Sequence, residues 1–170
     1  MVKLSDWLTR AVTDDPRALA WLKEPGAEER IARGYKELLG GYAVEPGAIL
    51  TPVRMLEDGE QPGPVTVEGI TFYSLCAHHC LPFFGTVDLT YVPGDRLLGL
   101  GKLPRLVHAY ARRFQLQEDL GMQIGNELMT SGGARGVRIL ARAQHLCMCA
   151  RGPTEPNAVT VTEYTAGSLA

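Results

Sequence analysis

Four cysteines and three of the four histidines fall into two short clusters, Cys76-Ala-His78-His79-Cys80 and His145-Leu-Cys147-Met-Cys149, more than sixty residues apart. A fold in which both clusters serve one chemistry has to carry two distant stretches of chain to the same place. Thiolate sulfur and imidazole nitrogen are ligands that Zn²⁺ prefers. A catalytic zinc takes three of them from the protein and leaves a position for water, whereas a structural site closes with four. Both arrangements are open to these residues. The spare histidines favour the catalytic one, because a closed site has no need of them.

With 170 residues, a formal charge of −2 and 45% hydrophobic residues, the chain is long enough for one domain with its own core, expected over residues 1–170. The N-terminus has no apolar h-region and no run reaches the length of a membrane span. A soluble, cytoplasmic protein with no membrane partner is therefore expected. Cysteines are reduced in that compartment, and reduced cysteines beside histidines point to metal binding or catalysis rather than to disulfides. The weak negative balance gives no reason to expect a nucleic-acid partner.

The pattern along the chain reads as helix, strands, helix and strands again. Glu28 to Leu39 sets Ile31, Tyr35, Leu38 and Leu39 on one face at helical spacing, with Gly40-Gly41 as its stop, within a short N-terminal helical segment of about 5–41. Glu45 to Pro64 carries four prolines and several glycines without periodicity and is expected to be an irregular connection. Val65–Leu75 and Gly85–Val92 alternate apolar and polar residues and read as strands flanking the first cluster. Leu103 to Met129 is helical, with a break near Phe114-Gln115. Gly136–Ala143, His145–Ala150 and Ala158–Tyr164 read as further strands of a core running from about 65 to 167. Strands and helices that do not alternate regularly argue for an α+β fold on an antiparallel sheet.

If His145–Ala150 is a strand, alternate residues share a face, so His145, Cys147 and Cys149 point the same way. Cys149 then stands where it can close the metal's open position, or it is simply a small buried thiol like Cys80. Adjacent His78 and His79 point apart in an extended chain and need not share a job. His108, alone on a helix, reads as an ordinary surface or packing residue.

The segments Phe72-Tyr-Ser-Leu-Cys76-Ala-His78-His79-Cys-Leu-Pro-Phe-Phe-Gly85, Gly99-Leu-Gly-Lys102-Leu-Pro-Arg105, Gln115-Leu-Gln117-Glu118 and His145-Leu-Cys147-Met-Cys-Ala-Arg151-Gly152 together resemble GTP cyclohydrolase I, and the resemblance runs from about Leu8 to Gly167. It implies the tunnelling fold, an antiparallel sheet with helices packed on one side, assembling into a ring-shaped homo-oligomer. The family's usual form is a decamer of two pentamers with active sites between subunits. Residue by residue, it implies that Cys76, His79 and Cys147 hold zinc, that His78 and His145 are the catalytic histidines, and that Glu118 with Gln117 reads guanine. Lys102, Arg105 and Arg151 match the family's phosphate-binding positions, and Arg30 matches an arginine supplied by a neighbouring subunit.

The implied chemistry is coherent. Zinc acidifies a water for attack on C8 of GTP or a related purine nucleotide, and a histidine titrating near neutrality can protonate the ring nitrogen as the bond opens. Formate leaves and 7,8-dihydroneopterin triphosphate forms. The departures from the family pattern are Ala77 where glutamate is usual, Gly101 where serine precedes the phosphate-binding lysine, and Asp119-Leu120-Gly121 where Arg-Leu-Thr follows the Gln-Glu pair. The chain also starts without the family's first long helix and stops soon after Gly167. These leave two alternatives: a divergent paralogue that stops at a ring-opened formamidopyrimidine or diaminopyrimidine nucleotide, and a catalytically silent nucleotide-binding subunit.

Overall fold

The computed structural model describes residues 3–170. They divide into two compact units, one ending at Glu37 and the other Leu38–Ala170. The first unit carries helices α1 (Leu4–Ala11), α2 (Pro16–Lys23) and most of α3 (Ala27–Leu38). Helix α2 starts where Asp15 accepts a hydrogen bond from the Arg17 amide at 2.9 Å, with Pro16 in the first turn. That pairing caps an orphan donor and places proline where its missing N–H costs nothing. The helix expected at Glu28–Leu39 is α3, and a 3₁₀ turn at Gly40–Ala43 follows it.

The second unit contains β1 (Pro52–Met55), β2 (Val65–Cys76), β3 (Pro82–Pro93), β4 (Arg96–Leu98), α4 (Lys102–Ala111), β5 (Phe114–Gln115), α5 (Gln117–Thr130), β6 (Ala134–His145), α6 (Leu146–Cys149) and β7 (Thr160–Gly167). The main sheet has the order β5-β2-β3-β6-β7. Its pairs are antiparallel except β2 with β5, which is parallel. The architecture is α+β with helices against one face of the sheet, consistent with the tunnelling fold. The connection expected to be irregular between Glu45 and Pro64 holds strand β1, which pairs with β4 in a separate two-stranded sheet. Proline at the first position of an edge strand removes no ladder bond, so Pro52 does not forbid it.

Period-two patterning decides which face of the sheet is covered. Val87, Leu89 and Tyr91 of β3 and Val137, Ile139 and Ala141 of β6 are buried, together with Leu103, Leu106 and Val107 of α4 and Leu120, Ile124 and Leu128 of α5. Full burial of each large aliphatic side chain contributes about 1.5–3 kcal/mol relative to exposure. The opposite face is polar. Thr66 and Thr90 meet at 2.9 Å, and the Arg142 guanidinium donates to Asp88 at 2.7 Å. The Gly69 amide also donates to Asp88, and this bond, followed by the Arg142 contact, holds the carboxyl below its ordinary range. Gly69 has φ of +67° at the register shift between Val67 and Ile70, the backbone of a bulge that glycine adopts without strain.

Helices α4 and α5 are tied by the Tyr110 hydroxyl, which donates to Glu127 Oε2 at 2.6 Å while Ser131 donates to the other carboxylate oxygen. Burial and the neighbouring carboxylate push the Tyr110 phenol well up, so the hydroxyl stays a donor throughout the working pH range. Tyr110→Phe is expected to cost about 1.5–3 kcal/mol, the worth of a hydrogen bond to a charged group. The measurement is the urea midpoint at unchanged slope; an unaltered midpoint would show that the pair contributes nothing net.

Candidate metal centre and cleft

Sheet topology explains how the two distant clusters meet. Strands β2 and β3 form a hairpin closed by Cys76 to Leu81, with Leu75 opposite Pro82. Strand β6 runs antiparallel to β3, hence along β2, and ends with His145 opposite Phe83. The hairpin loop and the end of β6 therefore lie at one edge of the sheet. The loop is held by the Cys80 amide donating to the Cys76 carbonyl at 2.8 Å and by the Ala77 amide donating to the Gln115 carbonyl at 3.0 Å. Cys80 takes a left-handed φ of +55° in this turn.

One ligand atom from each of Cys76, His79 and Cys147 lies within 4.8 Å of the others, with Cys76 Sγ 4.0 Å from His79 Nδ1. Two sulfurs and one imidazole nitrogen are the donor set of a catalytic zinc site with an open fourth position. The group is therefore chemically suited to hold that ion. Burial, then the adjacent Cys76, pushes the Cys147 thiol above its ordinary range, while Arg151 acts in the opposite sense. A divalent cation reverses that preference by stabilising thiolates.

The expected strand over His145–Ala150 is overturned. The chain leaves β6 at His145 and turns into α6, a single helical turn. Residues two apart do not share a helical face, so Cys147 joins the metal group while Cys149, expected on the same side, does not. The run is too short for periodicity to separate a strand from one turn of helix.

A cleft of about 210 Å³ opens at this edge, lined by Cys76, His78, His79 and Cys147 together with Gln117, Glu118 and His145. His78 and His79 are exposed in the hairpin loop with rings 6.2 Å apart and nearly perpendicular, so the two point in different directions. Gln117 and Glu118 open α5, which follows directly on β5 beside β2. Glu118 is exposed, whereas Gln117 is buried. His145 Nε2 lies 2.7 Å from Gln117 Oε1. Burial lowers the His145 pKa below its ordinary value, against the pull of the Glu118 charge.

The cations are distributed differently. Arg105 lines another cleft, with His108 and Arg112 beside the turn at Gly40-Gly41. Lys102 begins α4, and Arg151 is exposed just beyond α6. Arg30 belongs to the first unit, where its guanidinium donates to the Pro25 carbonyl at 3.3 Å and faces Glu24 at 3.8 Å. His108 is a surface residue, as expected, with Nε2 3.0 Å from the Thr71 carbonyl. Two further residues shape the cleft. Phe83 stacks on the His145 ring at 4.4 Å between centroids and 4° between planes. Gln115 is buried with its amide on the Tyr110 carbonyl and Gln123. Phe83 lies in the apolar phase of β3, but its partner depends on register with a strand sixty residues away.

An α+β chain that gathers a Cys-His-Cys group, two further histidines and a glutamate around one cleft has the makings of a metal-centred enzyme. A family model described as GTP cyclohydrolase I matches residues 5–170. The chain is 40% identical over 158 residues to the GTP cyclohydrolase 1 of Campylobacter lari, covering 93% of this chain and 80% of that one. It is 38% identical to the enzyme of Chlorobaculum tepidum, with 95% and 70% covered, and 40% identical to that of Wolinella succinogenes, with 82% and 73% covered. The chain belongs to the GTP cyclohydrolase I family, a family of enzymes. Among solved structures, archaeosine synthase QueF-Like in the apo form superposes with a TM-score of 0.51 at 15% identity, over 65% of this chain and all of that one, a likeness of fold alone. Among the described residues no helix is long and apolar enough to cross a membrane.

Proposed function

We propose that this chain opens the imidazole ring of GTP at C8, releases formate and forms 7,8-dihydroneopterin triphosphate, with zinc held by Cys76, His79 and Cys147. The observation that carries the reading is the convergence of that group with His78, His145 and Glu118 on one cleft. Zinc, when bound, supplies Lewis acidity and a water acidified towards neutral pH. The side chains supply the rest. His145, half-buried against Phe83, transfers a proton to the ring nitrogen as the C8 bond opens, and exposed His78 assists proton transfer in the later steps. Glu118 accepts from the guanine ring N–H and exocyclic amine, which disfavours adenine by leaving polar groups unpaired.

A cleft of about 210 Å³ is below the roughly 300–1,000 Å³ of a pocket enclosing a drug-sized ligand. It suits the base rather than the whole nucleotide. Lys102, Arg105, Arg151 and Arg30 take the triphosphate through charge-assisted bonds. The placement of Arg105 in a separate cleft supports a site completed by neighbouring copies, in a ring-shaped homo-oligomer of two pentamers. The family match across residues 5–170 supports one functional domain over 1–170, working as a soluble, cytoplasmic protein.

The test is mass spectrometry of products from zinc-loaded protein and GTP, with formate quantified in parallel. Equal amounts of formate and dihydroneopterin triphosphate are expected. Glu118→Gln is expected to lower kcat/KM by about 10²-fold or more, from loss of charge-assisted hydrogen bonds worth roughly 1.5–3 kcal/mol each. A second reading, release of a ring-opened nucleotide, is favoured by Gly101, which gives α4 no side-chain cap and leaves no hydroxyl beside Lys102. Accumulation of that nucleotide would replace the first reading, and unchanged GTP in the presence of bound zinc would indicate a silent subunit.

A further inference from the structure

Gln117 is 1% exposed, so its amide has to find every partner inside the protein. Its NH₂ group donates to the Ala141 carbonyl at 3.1 Å and to the Thr160 carbonyl at 3.0 Å, on the adjacent strands β6 and β7. Both amide hydrogens are thereby spent on main-chain oxygens that can only accept. The orientation of the amide follows: Oε1, not the NH₂ group, faces His145 Nε2 at 2.7 Å.

An amide oxygen can only accept, so His145 has to carry a proton on Nε2. In the neutral ring the lone pair then sits on Nδ1. Phe83, stacked at 4.4 Å and 4° from coplanar, holds the ring plane, and a half-turn of the imidazole would trade the Nε2–H bond for a C–H contact. The ring therefore has one tautomer and one orientation.

We propose that Gln117 is a positioning residue that fixes the tautomer and plane of His145, leaving Nδ1 as the nitrogen that exchanges protons with substrate, and that it does not read the base. The amide is uncharged and keeps accepting from Nε2–H whether Nδ1 is protonated or free, so one arrangement serves both halves of a proton transfer. Glu118, the next residue and exposed, is left to read the base by itself. The assignment rests on the reading of His145 as the proton-transfer group, but the hydrogen bond can be measured apart from activity.

The experiment is nitrogen-15 NMR of histidine-labelled, zinc-loaded protein above the titration range of the ring, combined with kinetics of Gln117→Leu. Wild-type His145 is expected as the Nε2–H tautomer. Gln117→Leu is expected to mix the tautomers and to lower kcat by about 10–100-fold, part of the roughly 10²–10⁴-fold that a positioned proton-transfer group contributes. KM for GTP and zinc content are expected to stay near wild type. An Nδ1–H signal in the wild-type protein overturns the proposal whether or not the variant folds. It is also overturned if Gln117→Leu keeps kcat, or raises KM while the tautomer is preserved, since that is the signature of a base reader. His145→Asn separates the two ideas. If it still opens the ring, the catalytic reading of His145 fails, while the wild-type tautomer continues to decide what Gln117 does.

Discussion

Cys147→Ala is expected to abolish both zinc retention and formate release, while Cys149→Ala keeps both. Cys147 offers one of three ligand atoms within 4.8 Å of one another, and Cys149, two residues further along the same helical turn, is outside the group. Loss of an outer-shell partner already costs about 10–100-fold in metal affinity or activity, and loss of a ligand costs more. Zinc per chain in the purified variant should therefore fall below about one-tenth of the parent value. Elemental analysis of both variants, with formate assayed on the same samples, is the check. Zinc retained by Cys147→Ala would sink the proposed ligand set. Zinc lost from Cys149→Ala would mean that the holo site recruits a third sulfur as its fourth ligand and leaves no place for water.

Gly85→Ala should destabilise the protein by about 3 kcal/mol or more, at the upper end of what overpacking usually costs, and should disable the cleft as well. A Cβ at Gly85 would lie 1.8 Å from the Arg142 carbonyl oxygen and 2.7 Å from the Ala143 Cα. Both are main-chain atoms of β6, with no rotamer to move aside. Relief requires separating β3 from β6 two residues from the Phe83–His145 pair, which sets the plane of the His145 ring. Gly34→Ala is the matched control. A Cβ there meets nothing within 4 Å and sits inside α3, so the same substitution is expected to stabilise by about 0.5–1 kcal/mol. Chemical denaturation of the two variants decides it. Equal midpoints would show that the β3–β6 approach is looser than the register implies.

Much of this protein was legible in the chain because its signals are local. The alternation in Thr86-Val87-Asp88-Leu89-Thr90-Tyr91 marks β3, and the apolar spacing of Leu106, Tyr110, Leu120, Ile124 and Leu128 marks two helices with a break at Phe114-Gln115. Where the structure departs from the local pattern, the reason lies in short or interrupted runs. Pro52 and the surrounding glycines hid β1, whose pairing with β4 depends on residues more than forty positions away. The four residues of α6 are too few to show a period, so their pattern does not distinguish a helical turn from a strand. For Gln117 and Glu118, adjacency in the sequence carries no information on which side chain is buried. At the start of a helix adjacent side chains diverge, and one turned inward to the sheet while the other stayed exposed.

By itself, the sequence determined the kind of chemistry. Sulfur and imidazole in two tight clusters restrict the metal and the reaction, because ligand preference belongs to the residue types and survives any fold. The tertiary structure alone decided how those residues are used. Register between β3 and β6 put His145 on Phe83, the turn after β6 selected Cys147 over Cys149, and burial against two main-chain carbonyls turned the Gln117 oxygen toward His145. Each of these depends on contacts between segments far apart in the chain, and side-chain orientation across such contacts follows from packing and hydrogen-bond satisfaction, which no local pattern encodes.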